Sequence, residues 1–152
     1  MSGILEVITR FPEETQALAE RFSAQLKGNE VIALAGEMGA GKTQFVHGLA
    51  RGLQVPDGSV ASPSFVLIRE YRGRLTIHHS DLFRLEGLPE TVNVGLEEFY
   101  EDGGVTVIEW ANKIPGILPE QYLEIRFEVV DPETRKLLLV PHGKRYEALR
   151  WQ

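Results

Sequence analysis

Eight consecutive residues have the composition of a phosphate-binding loop. Residues 36–43, GEMGAGKT, match the pattern G-x-x-x-x-G-K-[ST] at every fixed position. In such a loop the backbone N–H groups converge on one anion at the positive end of the following helix. Lys42 would bridge the outer phosphates, and the Thr43 hydroxyl would be a ligand of Mg²⁺. The alternative is a flexible glycine turn that fits the pattern by chance.

The elements around this loop favour the phosphate-binding interpretation. An apolar run from Val31 to Ala35 predicts a buried strand before the loop. Apolar residues recur at helical spacing after it, at Phe45, Val46, Leu49, Ala50 and Leu53. A strand before the loop and a helix after it are the context that the motif requires, so we predict a nucleotide site here.

Phosphoryl transfer also needs a carboxylate for the metal and a group that orients the attacking water. Glu109 ends an apolar run, residues 105–108, and a residue at the carboxyl end of a parallel strand points into the same crevice as the loop. Asp81 follows a second predicted strand, residues 75–80, and is the other candidate. The alternative for Glu109 is a solvated acid at a strand end. Trp110 can stack on a base or pack against the loop, and packing is the more frequent role.

Two further polar clusters have open interpretations. His78, His79 and Asp81 suggest a metal site, but neighbouring strand residues face opposite sides of a sheet. We therefore do not expect both histidines to bind one ion, and no third zinc ligand is evident. Residues 62–65, SPSF, form either a phosphate-sensing switch or a plain turn at the entry of a strand.

The residues after Trp110 narrow the class of nucleotide enzyme. Residues 112–115, NKIP, begin like the guanine-reading N-K-x-D, but Pro115 replaces the aspartate, and the chain contains no D-x-x-G. A GTPase is therefore disfavoured. A small-molecule kinase remains an alternative, with a lid supplied by arginines that could equally be ordinary surface charge. These arginines are Arg69, Arg72, Arg74 and Arg84.

The remaining pattern predicts a small α/β protein. We predict strands over 4–8, 65–71, 122–130 and 135–140, a helix over 12–26 and a short helix over 96–100. Together these elements predict one α/β domain over residues 1–152, a P-loop NTPase fold with a central mixed sheet flanked by helices.

Composition limits the partners and the location. The chain has 152 residues, a formal net charge of −6 and no cysteine. The negative charge argues against direct binding of nucleic acid through its phosphates, but not against a basic protein partner. No apolar stretch reaches the length needed to span a membrane, and we expect a cytoplasmic protein.

Five segments together resemble the TsaE (YjeE) family, and the resemblance runs from about residue 6 to residue 140. These segments are the P-loop, residues 62–65, residues 79–85 (HSDLFRL), residues 95–98 (GLEE) and residues 108–110 (IEW). The family pattern differs here at Ser64, where threonine is usual, and at Ser80 and Phe83, where an aromatic residue and tyrosine are frequent.

The resemblance implies roles for individual residues. Lys42 and the backbone of 38–43 would hold the phosphates of ATP, and Thr43 and Glu109 would form the Mg²⁺ shell. Asp81 would be needed for hydrolysis, residues 62–65 would be switch-like, and adenine would lie near Phe11 and Arg135. The expected nucleotide-binding set is Phe11, Gly36, Met38, Gly39, Ala40, Gly41, Lys42, Thr43, Gln44, Trp110 and Arg135, and the catalytic set is Lys42, Asp81 and Glu109.

The family resemblance also implies a function. It indicates the ATPase of bacterial tRNA threonylcarbamoyladenosine synthesis, weakly active alone and acting with the TsaB–TsaD pair, so that tRNA is contacted only indirectly. Two alternatives remain: the small-molecule kinase, and a nucleotide-gated adaptor whose hydrolysis is incidental.

Overall fold

The computed structural model describes residues 3–56, 68–85, 96–114 and 116–151. Within these residues seven strands form one sheet, and two α-helices pack on it. The strands are β1 (Leu5–Thr9), β2 (Val31–Ala35), β3 (Arg69–Tyr71), β4 (Ile77–Asp81), β5 (Val105–Glu109), β6 (Tyr122–Val129) and β7 (Arg135–His142). The helices are α1 (Pro12–Ser23) and α2 (Lys42–Gly52), and 3₁₀ turns cover Leu82–Leu85, Leu96–Phe99, Ala111–Lys113 and Lys144–Tyr146.

The sheet is mixed, with its parallel part in the centre. The strand order is β1-β7-β6-β2-β5-β4-β3. Strand β2 is parallel to both of its neighbours, β5 and β6, and β4 is parallel to β5. The pairs β1–β7, β6–β7 and β3–β4 are antiparallel. The carboxyl ends of β2, β4 and β5 therefore meet at one edge of the sheet.

The two faces of the sheet are covered differently. Side chains of both helices, including Phe22 and Leu49, pack with one face of β2 through Ile32. The next residue back, Val31, points to the other face, where it packs with Ile108 and with apolar residues of the turns and loops. Alternation along the strands thus produces two apolar clusters, and both α-helices lie on the same face.

The contact between α1 and α2 depends on a small residue. A Cβ atom added at Gly48 of α2 would lie 2.1 Å from the backbone oxygen of Gln16 in α1 and 2.7 Å from Cβ of Ala19. Neither atom belongs to the flexible end of a side chain. Any larger residue must therefore push the helices apart.

We expect Gly48→Ala to lower the free energy of unfolding by about 1–3 kcal/mol, since overpacking forces backbone shifts. Alanine gains about 1 kcal/mol over glycine in a helix interior, and a contact of 2.1 Å outweighs that gain. Urea denaturation measures the difference. Gly3→Ala is the control, because a Cβ atom there meets no atom within 4 Å; equal stabilities of the two variants would contradict the prediction.

Within the described residues the predicted elements follow the same order as the observed ones. Residues 65–67 of the predicted strand over 65–71 lie outside the described residues, and the short helix predicted over 96–100 is a 3₁₀ turn, Leu96–Phe99. The predicted helix over 12–26 ends at Ser23, because residues 24–26 continue as a non-α turn, and the first strand lies one residue later than predicted. The prediction of a central mixed sheet is confirmed, and the flanking α-helices lie on one face. None of the helices in the described part of the chain is long and apolar enough to cross a membrane.

Candidate functional site

The P-loop joins the end of β2 to the start of α2. Gly41 caps α2 with φ 108°, and Gly36 and Gly39 also have positive φ angles. L side chains rarely adopt this region of φ, so the loop conformation requires glycine at the positions where the motif has it. The N–H of Phe45 donates to the Gly41 oxygen over 3.0 Å and begins the helical ladder. The earlier N–H groups at the helix start are the donors that a phosphate would use.

A cavity of about 510 Å³ opens at this loop. This volume lies in the range of ligand pockets in proteins. Its walls come from the P-loop and α2, the start of α1, the ends of β4 and β5, and the hairpin between β6 and β7. The lining residues are Pro12, Thr15, Met38, Gly39, Gly41, Lys42, Thr43, Gln44, Asp81, Phe83, Glu109, Trp110, Pro132, Glu133 and Arg135.

Lys42 is buried at the boundary between this cavity and a second one. Its Nζ donates to the Gly36 oxygen over 2.6 Å and lies 4.3 Å from the centroid of the Trp110 ring. Burial lowers the pKa of Lys42, an effect that the negative charges of Glu109 and Asp81 oppose. The ammonium group is thus held in place by one carbonyl and one aromatic face, next to the cavity where phosphate would enter.

Trp110 forms a wall shared by the two cavities. The second cavity, about 720 Å³, lies between the end of β2 and the 111–118 loop and is also lined by Lys42, Trp110 and Gly36. The backbone of Trp110 is left-handed, with φ 60°, which is an outlier for a bulky residue. Its ring packs against Phe83 with centroids 5.1 Å apart. In this structure, therefore, the Trp110 ring packs against residues of the site. Stacking of this ring on a nucleotide base stays a prediction.

The two candidate carboxylates end neighbouring strands. Asp81 and Glu109 are paired in the parallel register of β4 and β5, so both side chains lie on the same face of the sheet. Both residues line the cavity beside Lys42. The Asp81 Oδ1 accepts the N–H of Phe83 over 3.0 Å, which fixes the start of the following 3₁₀ turn.

Glu109 is buried, and His79 donates to it. The Nε2 of His79 lies 2.6 Å from the Glu109 Oε2, and the Nδ1 of the same ring lies 3.1 Å from the Tyr71 hydroxyl. The neighbouring His78 faces the other side of β4, where its Nε2 lies 2.9 Å from an Asp102 oxygen. The alternation of the two histidines that the sequence predicts is therefore present.

The donor set at the loop fits Mg²⁺. This ion prefers oxygen ligands and is usually held by one or two protein groups together with phosphate oxygens and water. Thr43 is exposed at the first turn of α2, and Glu109 lies at the same cavity. These two side chains would hold the ion, as the sequence predicts, and the ligand assignment itself stays a prediction.

Comparison with known proteins decides the family. A family model described as "Threonylcarbamoyl adenosine biosynthesis protein TsaE" matches residues 9–137. The chain belongs to the TsaE family. This assignment confirms the resemblance seen in the sequence.

Individual TsaE proteins are similar to this chain over nearly its whole length. The tRNA threonylcarbamoyladenosine biosynthesis protein TsaE of Bacillus subtilis (strain 168) is 39% identical over 139 residues, which cover 91% of this chain and 86% of the relative. The protein of the same name from Aquifex aeolicus (strain VF5) is 38% identical over 141 residues, covering 90% and 96%. The crystal structure of YdiB from Bacillus subtilis superposes with a TM-score of 0.79 at 34% identity, covering 98% of this chain and 93% of that one. The α/β P-loop fold is thus confirmed.

In this TsaE chain most of the predicted nucleotide-binding residues line the first cavity. Gly36 lines the second cavity instead, and Ala40 is fully buried in the core below the loop. Phe11 is 43% exposed and precedes Pro12, which lines the cavity in its place. Residues 62–65 lie outside the described residues.

Arg135 connects the β6–β7 hairpin to the P-loop. One terminal nitrogen donates to the Gly39 oxygen over 3.1 Å, and the other donates to the Asp131 oxygen over 2.8 Å. Arg135 is also paired with Thr9 in the β1–β7 register, which brings the start of α1 to the same cavity. The two regions that the TsaE resemblance implies for adenine, around Phe11 and Arg135, are therefore neighbours.

Five lining residues were not predicted: Pro12, Thr15, Phe83, Pro132 and Glu133. Phe83 had a signal, because it lies two residues after Asp81 in the TsaE motif. The other four approach the loop through the β1–β7 and β6–β7 pairings, and residue spacing carries no sign of such distant contacts.

Two of the four arginines proposed for a kinase lid, Arg72 and Arg74, lie away from the candidate site. Arg74 donates to the oxygens of Ser23 and Leu26 at the end of α1, and Arg72 pairs with Glu70 over 2.8 Å. Both belong to the turn before β4, whereas the candidate site lies at the other end of that strand. The lid interpretation is therefore wrong for these two residues, which stabilise a helix end and a surface turn.

Proposed function

We propose that this chain is a Mg²⁺-dependent ATP hydrolase that serves the formation of threonylcarbamoyladenosine in tRNA. The observation that carries the proposal is the convergence of the P-loop lysine and the two strand-end carboxylates, Asp81 and Glu109, on one cavity. Phosphate binding, metal binding and activation of water each have a candidate group there. The names of the relatives supply the pathway.

The chemistry would be mainly electrostatic. Lys42 would neutralise charge that develops at the oxygen between the β- and γ-phosphates, and the loop N–H groups would orient the phosphates. Bound Mg²⁺ would neutralise phosphate charge. Asp81 would accept a hydrogen bond from the attacking water and orient it, or would take its proton. Thr43 and Glu109 would fix the position of the ion.

The partner would be the TsaB–TsaD pair, with tRNA reached only through that complex. The support is the family assignment together with a net charge of −6, which suits a basic protein surface better than a polyphosphate backbone. Hydrolysis would be weak without the pair. A cysteine-free sequence fits a reducing compartment, and we propose the cytoplasm.

Phosphate release from ATP tests this proposal. We expect slow release by the chain alone and faster release when purified TsaB and TsaD are added together, in both cases dependent on Mg²⁺. Absence of release under both conditions would overturn the hydrolase assignment and favour a nucleotide-gated adaptor. Phosphate that appears on a small molecule instead of in solution would favour a kinase.

A further inference from the structure

Three buried side chains form a directed chain of hydrogen bonds that ends on Glu109. A carboxylate can only accept, so the His79 Nε2, 2.6 Å from Glu109 Oε2, must carry the hydrogen. In a neutral ring the Nδ1 is then an acceptor, and the Tyr71 hydroxyl at 3.1 Å donates to it. All three residues are buried. Each hydrogen bond in the chain thus determines the direction of the next.

This arrangement constrains a carboxylate that would otherwise rotate. The hydrogen bond from His79 fixes one oxygen of Glu109. A buried carboxylate with no hydrogen-bond donor would also be costly. The hydrogen bond from His79 therefore offsets the cost of burying the Glu109 carboxylate and also fixes its orientation.

We propose that His79 is a positioning residue that orients Glu109 toward Mg²⁺, and that the Tyr71 hydroxyl holds the opposite nitrogen of the ring in place. The proposal rests on the proposed function, in which Glu109 belongs to the metal shell. Groups of this kind, one step behind a metal ligand, typically change metal affinity by about 10–100-fold when they are removed.

The chain offers two matched substitutions at position 79. The amide nitrogen of glutamine lies three bonds from Cβ, as the histidine Nε2 does, whereas that of asparagine lies only two bonds from Cβ. His79→Gln therefore keeps a donor within reach of Glu109, and His79→Asn does not. His78→Asn is the control, because His78 is equally buried on the same strand but faces Phe99, with ring centroids 4.1 Å apart, and Asp102.

The experiment measures ADP affinity by calorimetry as a function of Mg²⁺ concentration, together with affinity in EDTA. Mg²⁺ should strengthen ADP binding, and the Mg²⁺ concentration at which half of this strengthening is reached is the quantity to compare. We expect His79→Asn to raise this concentration by about 10–100-fold. His79→Gln and His78→Asn should behave like the wild type, and affinity in EDTA should be the same for all variants that fold. Thermal unfolding establishes which variants fold.

A second measurement needs neither metal nor nucleotide. Long-range ¹H–¹⁵N spectra of the imidazole rings should show the His79 hydrogen on Nε2, and Tyr71→Phe should leave it there, because the Glu109 carboxylate can only accept. If His79→Asn does not fold, these spectra still test the proposal, because they do not need that variant. A ring protonated on Nδ1 in the wild type would overturn it.

The outcomes separate this inference from the function on which it rests. If Mg²⁺ does not strengthen ADP binding to the wild type, the proposed metal site fails. If Mg²⁺ strengthens binding to the wild type and to folded His79→Asn equally, the metal site stands and the role of His79 is overturned. Equal losses in His79→Gln and His79→Asn would also overturn it, because the donor would then not matter.

Discussion

Replacement of Asp81 by asparagine should lower ATP hydrolysis in the presence of TsaB and TsaD by about 10²–10⁴-fold, the usual worth of a group that orients or deprotonates water. Binding of Mg·ATP should change little, because such a group acts mainly in the transition state. The variant should fold normally, since asparagine retains the oxygen that accepts the N–H of Phe83 over 3.0 Å. Phosphate release and nucleotide titration measure the two quantities.

Glu109→Gln is the matched comparison for this prediction. Glutamine is neutral but still offers an oxygen to His79, so the local packing is retained. We expect Mg²⁺-dependent affinity to fall along with the rate, because a lost metal ligand affects the ground state as well. If Asp81→Asn abolished Mg·ATP binding while Glu109→Gln bound normally and turned over slowly, the two roles would be reversed.

Replacement of Lys42 by methionine should weaken triphosphate binding by about 10–100-fold, which corresponds to the 1.5–3 kcal/mol of a hydrogen bond to a charged group. Methionine keeps most of the volume and removes the charge. Burial lowers the pKa of Lys42, so the variant removes an unfavourable desolvation of charge together with the hydrogen bond to the Gly36 oxygen. Because these two effects oppose each other, we expect little change in thermal stability in the absence of nucleotide. Calorimetric titration with ATP and a thermal unfolding curve are the measurements.

Lys27→Met is the control for this charge change, since Lys27 is exposed near the end of α1 and does not line the cavity. It should bind ATP like the wild type. Unchanged ATP binding and unchanged turnover in Lys42→Met would contradict the phosphate-binding role of the loop lysine.

The sequence predicts the part of the site that local rules determine. The glycine pattern specifies the turn between β2 and α2, and an acidic residue after a buried run identifies Glu109, because side chains at the ends of parallel strands share one edge. Asp81 is identified by the same rule. The pairing of these two residues across β4 and β5 agrees with that reasoning.

The contacts that depend on strand order and register could not be predicted. The sequence contains His79 and Glu109, but their hydrogen bond requires β4 to lie beside β5 with His79 opposite Val107. The approach of Arg135 to Gly39 likewise depends on β7 lying between β1 and β6. Residue spacing along the chain predicts neither of these two contacts, because the residues that form them are far apart in sequence.

The strand order also determines when this protein can acquire its site during synthesis. Strand β2, which carries the P-loop, lies between β5 and β6, and the first strand pairs with the last. A ribosome that has released residues 1–56 has exposed the complete P-loop sequence, but none of the strands that will flank it. Such non-local pairing slows folding and leaves apolar strand edges open in the growing chain. We therefore expect nucleotide to protect the nascent protein from proteolysis only after β7 has emerged, so that folding and ligand binding become possible at the same late stage.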